Sequence, residues 1–558
     1  MRGVGPSRRD MVSVLSSATL TSAGVAHAGQ ATIPGRLLGG VLPAGVHRIE
    51  RDTAVTQDLV MAPGAQFDIS TGVTLRLLGD LIAPGSQIFT GAGRVDLCHS
   101  RVTVARPEWW GAVPDDAQID SLPAFRACVA AHPAMQLGLG DYFLSQTWAV
   151  DRPNRRVWGV GRTTGARGSR LVLMGGVGPV VRIGAERQPA TINDFLRGID
   201  MRWLELGRTT ASAPPVADGE DSAGLEIRYV LDCNFEGLRA HEHAIGYSIR
   251  GAVRTYLRDC TAFRSVAADP ERRDIFVGFD MDGRSPPFPT GANASLYLID
   301  CNARTGNRPS LAISAGCRIR GALSDTALVR FETTELVTGI LIEGGAGQMS
   351  PAQRRAGHVN LKIDSPVLDQ CLQLGISISS LSDQALVDIE SPYVALALGG
   401  QAAISISRSG GNITLTGGQL IGWVAGAESD DAVGFALRET DGVEVHGLKL
   451  LSFPRPIEVV ASSGFELAVA INHPGRPTGR PAVRVEGCRM GYLRPRVAGA
   501  AGAFTAGVEI HEATGPVTVE TTGLDPRVVA GGALVTVVGQ GVVAREPGAA
   551  VHVSPGSL

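Results

Sequence analysis

The sequence predicts an all-β fold, a right-handed parallel β-helix wound as a single-stranded solenoid. Three observations carry that prediction. The 558 residues include 71 Gly, 44% apolar residues and only 19% charged ones, and a chain rich in Gly and Val but poor in Lys and Glu favours strands. The length exceeds what one compact core organises, whereas a solenoid escapes that limit because each repeat packs only on its neighbours. Short alternating apolar runs also end repeatedly at turn-forming residues, the punctuation of stacked coils.

In chain order, residues 1–28 read as an export signal. Arg2, Arg8 and Arg9 give a positive start, residues 11–25 carry no charge, and Ala26-His27-Ala28 fits a small-x-small cleavage site. Ser7-Arg8-Arg9-Asp10-Met11-Val12 resembles a twin-arginine motif. The expected location is therefore the periplasm or the exterior. No later run approaches the roughly 20 apolar residues of a membrane span. Residues 30–105 hold short β coils: Val46-His47-Arg48-Ile49, Thr56 to Met61, Phe67-Asp68-Ile69 and Val73 to Leu77. Ala62-Pro63-Gly64 and Ala83-Pro84-Gly85 stop two of these runs. One helix is expected near 121–132, with Ser121 as its cap, Pro123 in its first turn, and Leu122, Phe125, Cys128 and Val129 at helical spacing.

The main β-helix is expected over 106–495. Asp232-Cys233, Asp259-Cys260 and Asp300-Cys301 recur after apolar strands with spacings of 27 and 41 residues, which suits coils of about 20–30 residues with one enlarged loop. Glu486-Gly487-Cys488 is a fainter echo. The eight cysteines form no CxxC pair, and scattered cysteines in apolar strands read as small buried hydrophobes rather than as a disulfide framework. Segments 208–222, 268–274 and 283–293 read as exposed loops. Residues 496–558 are Gly/Ala/Val-rich and read either as terminal coils or as a small β domain.

Several of these segments carry a resemblance. Arg106-Pro107-Glu108-Trp109-Trp110-Gly111-Ala112, the following helix, Gly140-Asp141-Tyr142 and Trp158-Gly159-Val160-Gly161 resemble the entry to the pectin-lyase-like β-helix superfamily, as found in phage tailspikes and bacterial polysaccharide-active proteins. The specific likeness covers roughly residues 105–185. It implies that the helix caps an open solenoid end and that a polysaccharide is handled on the outer face. Two functions follow from it. One is a lyase or glycoside hydrolase acting on an acidic or capsular polymer. The other is a non-catalytic binding spike or adhesin like the receptor-binding spikes of phages or phage-like particles, assembled as a homotrimer and carried on the surface of such a particle.

Glycoside hydrolysis needs two carboxyl groups, and uronate elimination needs a base and a neutralising cation, for which calcium is the candidate. Asp280 and Asp282 lie two apart in Phe279-Asp280-Met281-Asp282-Gly283, so an extended strand points them the same way. With Glu242 they are the candidate acids and bases. His241 and His243 share a face if their segment is extended; two ligands without a third are a weak metal signal, so they stand as candidate substrate-binding residues. Arg254, Arg258 and Arg264 form a candidate basic ladder for anionic sugar, and Tyr256 a stacking ring. Trp109, Trp110, Trp148 and Trp158 read more simply as packing. The polygalacturonase motifs are missing: Val445-His446-Gly447 is a fragment of one, and Ala268-Asp269-Pro270-Glu271 lacks the His of an epimerase motif. The formal net charge of −3 gives no nucleic-acid footprint. Of 51 basic residues only Lys362 and Lys449 are lysines, which reads as codon bias before it reads as function.

Overall fold

Short alternating strands bury every second side chain and pair in parallel with the strands one coil earlier and one coil later. This is a computed structural model. It describes residues 31–32, 36–37, 40–161, 168–175, 178–209, 222–264, 275–283, 293–306, 313–344, 359–422, 431–475, 477–538, 543–544 and 551–554. Residues 1–28 lie outside the described residues, as do the three expected loops apart from their ends and the Ala268–Glu271 segment.

A typical coil has three strands. Ala294–Ile299 lies on face 1, Asn302–Thr305 on face 2 and Ile313–Gly321 on face 3. The next coil repeats them as Leu323–Val329, Glu332–Thr334 and Thr338–Glu343. Inward columns run Leu298, Leu328, Ile363 on face 1; Ala303, Thr333, Leu368 on face 2; and Cys317, Ile340, Ile376 on face 3. All nine are buried. Stacking makes one apolar core out of coils that could not bury their inner side chains alone. The described strands after residue 496 continue the same parallel pairing: Val508–His511 on Val483–Glu486, and Val535–Val538 on Val508–His511.

Residues 40–105 form a smaller three-faced stack. Gly45–Ile49, Ala65–Ile69 and Phe89–Gly91 pair on one face; Thr53–Val55, Thr74–Leu77 and Arg94–Asp96 on the second; Gly40–Leu42, Leu59–Met61 and Leu81–Ile82 on the third. The helix Leu122–Ala131 sits between this stack and the main one. On one side Leu97 N donates to Ala131 O (3.0 Å) and Ala105 N to Ala134 O (2.9 Å). On the other, Phe125 packs against Tyr142 and Trp148 (ring centroids 5.5 and 5.3 Å). The expected end cap is thus a mid-stack wall among the described residues, flanked by coils on both sides and joined to one continuous core. Its capping residue also differs from expectation. The Ser121 side chain makes no cap bond, and Asp120 Oδ1 accepts from Leu122 N instead (3.0 Å).

The Pro-Glu-Trp and Gly-Asp-Tyr segments bind one another. Glu108 is buried and accepts from Gly138 N (3.0 Å) and from the Tyr142 hydroxyl. Burial, with the Glu108 charge beside it, pushes the Tyr142 phenol far up. Trp109 Nε1 donates to Pro84 O (3.1 Å). These motifs, and the buried Trp109 and Trp148, lock coils together.

The Asp-Cys pairs mark corners. Asp232, Asp259 and Asp300 take positive φ of 58°, 50° and 55°, a conformation Asp tolerates better than most residues. The cysteine after each is buried, and its thiol donates to the carbonyl two residues back, at Leu231 (3.5 Å), Arg258 (3.4 Å) and Ile299 (3.5 Å). Ser409, Ser462 and Cys488 repeat that bond after Arg408, Ala461 and Gly487, which also have positive φ. All eight cysteines are free, and seven are buried. The spacings of 27 and 41 residues are not two coils of one series. Asp259 and Asp300 stack at the corner between faces 1 and 2, whereas Asp232 lies opposite Arg254 at the corner between faces 3 and 1.

Candidate functional site

Asp280 and Asp282 belong to the face 3 strand Ile275–Gly283 and both point outward, with Phe279 and Met281 in the core. Neither is open to solvent: their exposures are 0% and 4%. Arg318 Nε donates to Asp280 Oδ1 (2.9 Å) and an Arg320 terminal nitrogen to Oδ2 (2.6 Å). Arg320 also lies 3.3 Å from Asp282, and Arg250 3.9 Å from it. Earlier on the same face Arg182 pairs with the buried Glu226 at 2.6 Å, and Arg228 also contacts it. Face 3 therefore carries a ladder of alternating charge in which carboxylates are clamped by guanidinium forks. Glu242 stands apart from the aspartates, on the turn that leaves face 2, with φ of 62°.

The two histidines do not share a face, because Glu242 between them breaks the extended run. His241 ends the face 2 strand Arg239–His241, half-buried, with its ring edge-on to Phe263 at 5.8 Å. Burial lowers its imidazole below the usual range, opposed mainly by the Glu205 charge. His243 is buried inside: its Nε2 bonds Leu206 O (2.9 Å), and Arg208 Nε donates to Nδ1 (3.2 Å). Burial first, then the Arg208 charge, lowers the His243 imidazole to about 3.

Nor do the three arginines form a ladder. Arg254 is a corner residue (φ 46°) held on both carboxylate oxygens of Asp232 (2.8 and 2.9 Å). Arg258 ends the face 1 part of the strand Ile245–Arg258. Arg264 ends the face 2 strand Thr261–Arg264 and donates to Ile275 O (2.7 Å). The corner at Asp259 turns Arg258 and Arg264 onto different faces.

Around that corner the structure assembles something the isolated candidates did not show. On face 1 the Tyr256 and Tyr297 rings stack at 4.9 Å and 11°, and the Arg258 guanidinium lies 5.3 Å from the Tyr256 centroid. On face 2 the Arg304 guanidinium lies 5.3 Å from the Phe263 centroid. Beside Phe263 runs a groove of about 250 Å³ lined by His241, Thr261, Asn302, Arg304, Glu332 and their neighbours. Asn302 Nδ2 donates to Thr261 Oγ1 across it (3.1 Å). Of these residues the sequence reading named Tyr256, Arg258 and His241 and missed Phe263, Tyr297, Asn302, Arg304 and Glu332. A signal existed. Tyr256-Leu257-Arg258-Asp259-Cys260-Thr261-Ala262-Phe263 and Tyr297-Leu298-Ile299-Asp300-Cys301-Asn302-Ala303-Arg304 align residue for residue, and their alignment is the strand register.

No protein-family model matches the sequence, and no curated protein does. Solved structures do resemble the chain. The tailspike protein of E. coli bacteriophage HK620 in complex with pentasaccharide aligns at a TM-score of 0.55, with 10% identity over 76% of each chain. A double mutant of that tailspike in complex with pentasaccharide aligns at 0.54, with the same identity and coverage. This chain has the parallel β-helix fold. The A-module of the Azotobacter vinelandii mannuronan C-5 epimerase AlgE6 is a looser match at 0.35, with 13% identity over 81% of this chain and all of that one. Among the described residues of the β-helix, no three His, Cys, Asp or Glu side chains converge as a metal site, and no helix is long and apolar enough to cross a membrane.

Proposed function

We propose that this β-helix binds a polysaccharide across the corner between faces 1 and 2. The observation that carries the reading is the pair of arginine–aromatic contacts on either side of Asp259, bordering a groove of hydrogen-bonding side chains. Aromatic rings offer a flat apolar surface to the C–H face of a sugar, and convergent polar groups fix the hydroxyls. The tailspike that shares the fold was solved with a pentasaccharide, which supports a saccharide ligand. Export to the periplasm or the exterior and assembly as a homotrimer belong to the same reading.

The test is retention of the purified protein on a panel of immobilised bacterial polysaccharides, with light scattering to read its mass. Retention on at least one polymer, lost in the Tyr256→Ala/Tyr297→Ala variant, is the expected result. No retention on any polymer, or retention untouched by that variant, would overturn the proposal.

Catalysis is a second reading and rests on Asp280 and Asp282 sharing one outer face; both are buried beneath the Arg318 and Arg320 forks, which a substrate would have to displace, and Glu242 stands apart as a third carboxyl. Two carboxyl groups on one outer face are the equipment of glycoside hydrolysis. New reducing ends from the retained polymer, abolished by Asp280→Asn, would support it. Unsaturated uronate ends appearing with calcium would assign lyase chemistry instead.

A further inference from the structure

Six coils beyond Tyr256, on the same corner, the solenoid changes shape. From Asp259 to Gly447 the corner between faces 1 and 2 turns at residues with positive φ: Asp259, Asp300, Arg330, Ser365, Ser391, Gly417 with Gly418, and Gly447. The strand Val443–Leu451 turns at Gly447, and the register slips between His446 and Leu448. The next two strands, Ser463–His473 and Arg489–Gly499, each run 11 residues and carry both faces without that bend. Where the bent coil meets the straight ones there is a groove of about 430 Å³.

Its floor is Ala468 and Ala470, and its rims carry basic side chains. His446 and Lys449 stand on one coil, and Arg494 and Arg496 two coils later, in register across Ala468 and Ala470. No carboxylate lines it. The acidic groups nearby lie to the face 1 side: Glu444 is 3.6 Å from His446, and Glu466 and Glu520 are 4.0 and 3.5 Å from Arg494. Lys449 and Arg496 have no ion pair or side-chain hydrogen bond among the described residues, in contrast to Lys362, the other lysine, which is bound to Glu390 at 2.9 Å. Both are exposed. Two strand spacings put them roughly 10 Å apart, comparable to the length of a disaccharide.

We propose that this groove binds the anionic groups of a uronate-containing polysaccharide, Lys449 and Arg496 each facing one carboxylate of the polymer. The small floor admits a sugar ring to the backbone, and the unpaired cations supply charge-assisted contacts to oxygen anions. The proposal rests on the polysaccharide reading above and adds the class of polymer. The groove lies roughly 30 Å, six strand spacings, along the solenoid from the Tyr256 site, so the two surfaces can be tested separately.

The experiment measures binding of the full chain to hyaluronate, to polygalacturonate, to carboxyl-reduced forms of both, to neutral dextran and to a DNA duplex. The variants are Lys449→Ala/Arg496→Ala and Tyr256→Ala/Tyr297→Ala. The expected result is binding to a uronate polymer that weakens at least tenfold in the lysine–arginine variant, weakens with added salt, and disappears when the polymer is carboxyl-reduced, at an unchanged thermal midpoint. Equal binding by wild type and that variant would overturn the proposal. So would binding of DNA more tightly than either uronate polymer through the same two residues. If only a neutral polymer binds, and does so through Tyr256 and Tyr297, the anionic groove falls and the polysaccharide reading stands. If nothing on the panel binds, both fall.

Discussion

The imidazole of His243 shows how a residue that reads as a ligand in the sequence serves as a strut in the fold. Its Nε2 bonds the Leu206 carbonyl and its Nδ1 accepts from Arg208, so the neutral ring satisfies two buried partners. Its folded value of about 3 lies below the ordinary 6.5. The unfolded chain therefore holds the extra proton between those values. The stabilisation is fully present above about pH 6.5 and is lost as pH falls toward 3, with a slope of about 1.4 kcal/mol per pH unit. Denaturant midpoints measured from about pH 7.5 down to about pH 4.5 should fall accordingly. In His243→Gln the slope should shrink by about one proton, while stability at neutral pH drops by about 1–3 kcal/mol from the disturbed Arg208 and Leu206 groups. An unchanged slope would contradict this role. The aspartates make the same point. Alternation in the sequence put Asp280 and Asp282 on one face, but the guanidinium forks of Arg318 and Arg320 come from the next coil on face 3. No local pattern announces a neighbour 38 residues away.

At the scale of the element, the corner is the unit that the chain writes most clearly. A residue that accepts positive φ is followed by a cysteine, serine or threonine that caps the carbonyl two residues back, as in Asp300-Cys301, Arg408-Ser409 and Ala461-Ser462. Asp-Cys was therefore visible as a recurring signal. Which corner it marked was not, because corners between faces 3 and 1 and between faces 1 and 2 use the same chemistry. The helix was legible for the same local reasons, in its spacing and its Pro123. Its place between two stacks depended on hydrogen bonds from Leu97 and Ala105, which no local signal carries. The corner has a measurable consequence. Ser391 is exposed, has φ of 48° and makes no side-chain hydrogen bond among the described residues. Ser391→Val should cost about 1–2 kcal/mol, since β-branched residues resist this conformation, whereas Ser391→Gly should be neutral or better. Equal thermal midpoints for the two variants would mean that the corner stores no such strain.

At the scale of the whole molecule, stacking turns a repeated short sequence into a surface. Tyr256 and Tyr297 are 41 residues apart in the chain and stack because their strands are neighbours. Phe263 and Arg304 meet by the same register. The fold was legible from composition and punctuation, since every coil repeats them. The site was legible only where a candidate already bordered the groove or its corner, as Tyr256, Arg258 and His241 do. Its other half required the alignment of two coils. The most direct measurement is a calorimetric titration of wild type and of Tyr256→Ala/Tyr297→Ala with an oligosaccharide from whichever polymer the protein retains. The aromatic corner predicts at least a tenfold loss of affinity, about 1.4 kcal/mol, with thermal midpoints unchanged. Equal affinity for the two proteins would place the binding surface elsewhere on the solenoid and contradict the account.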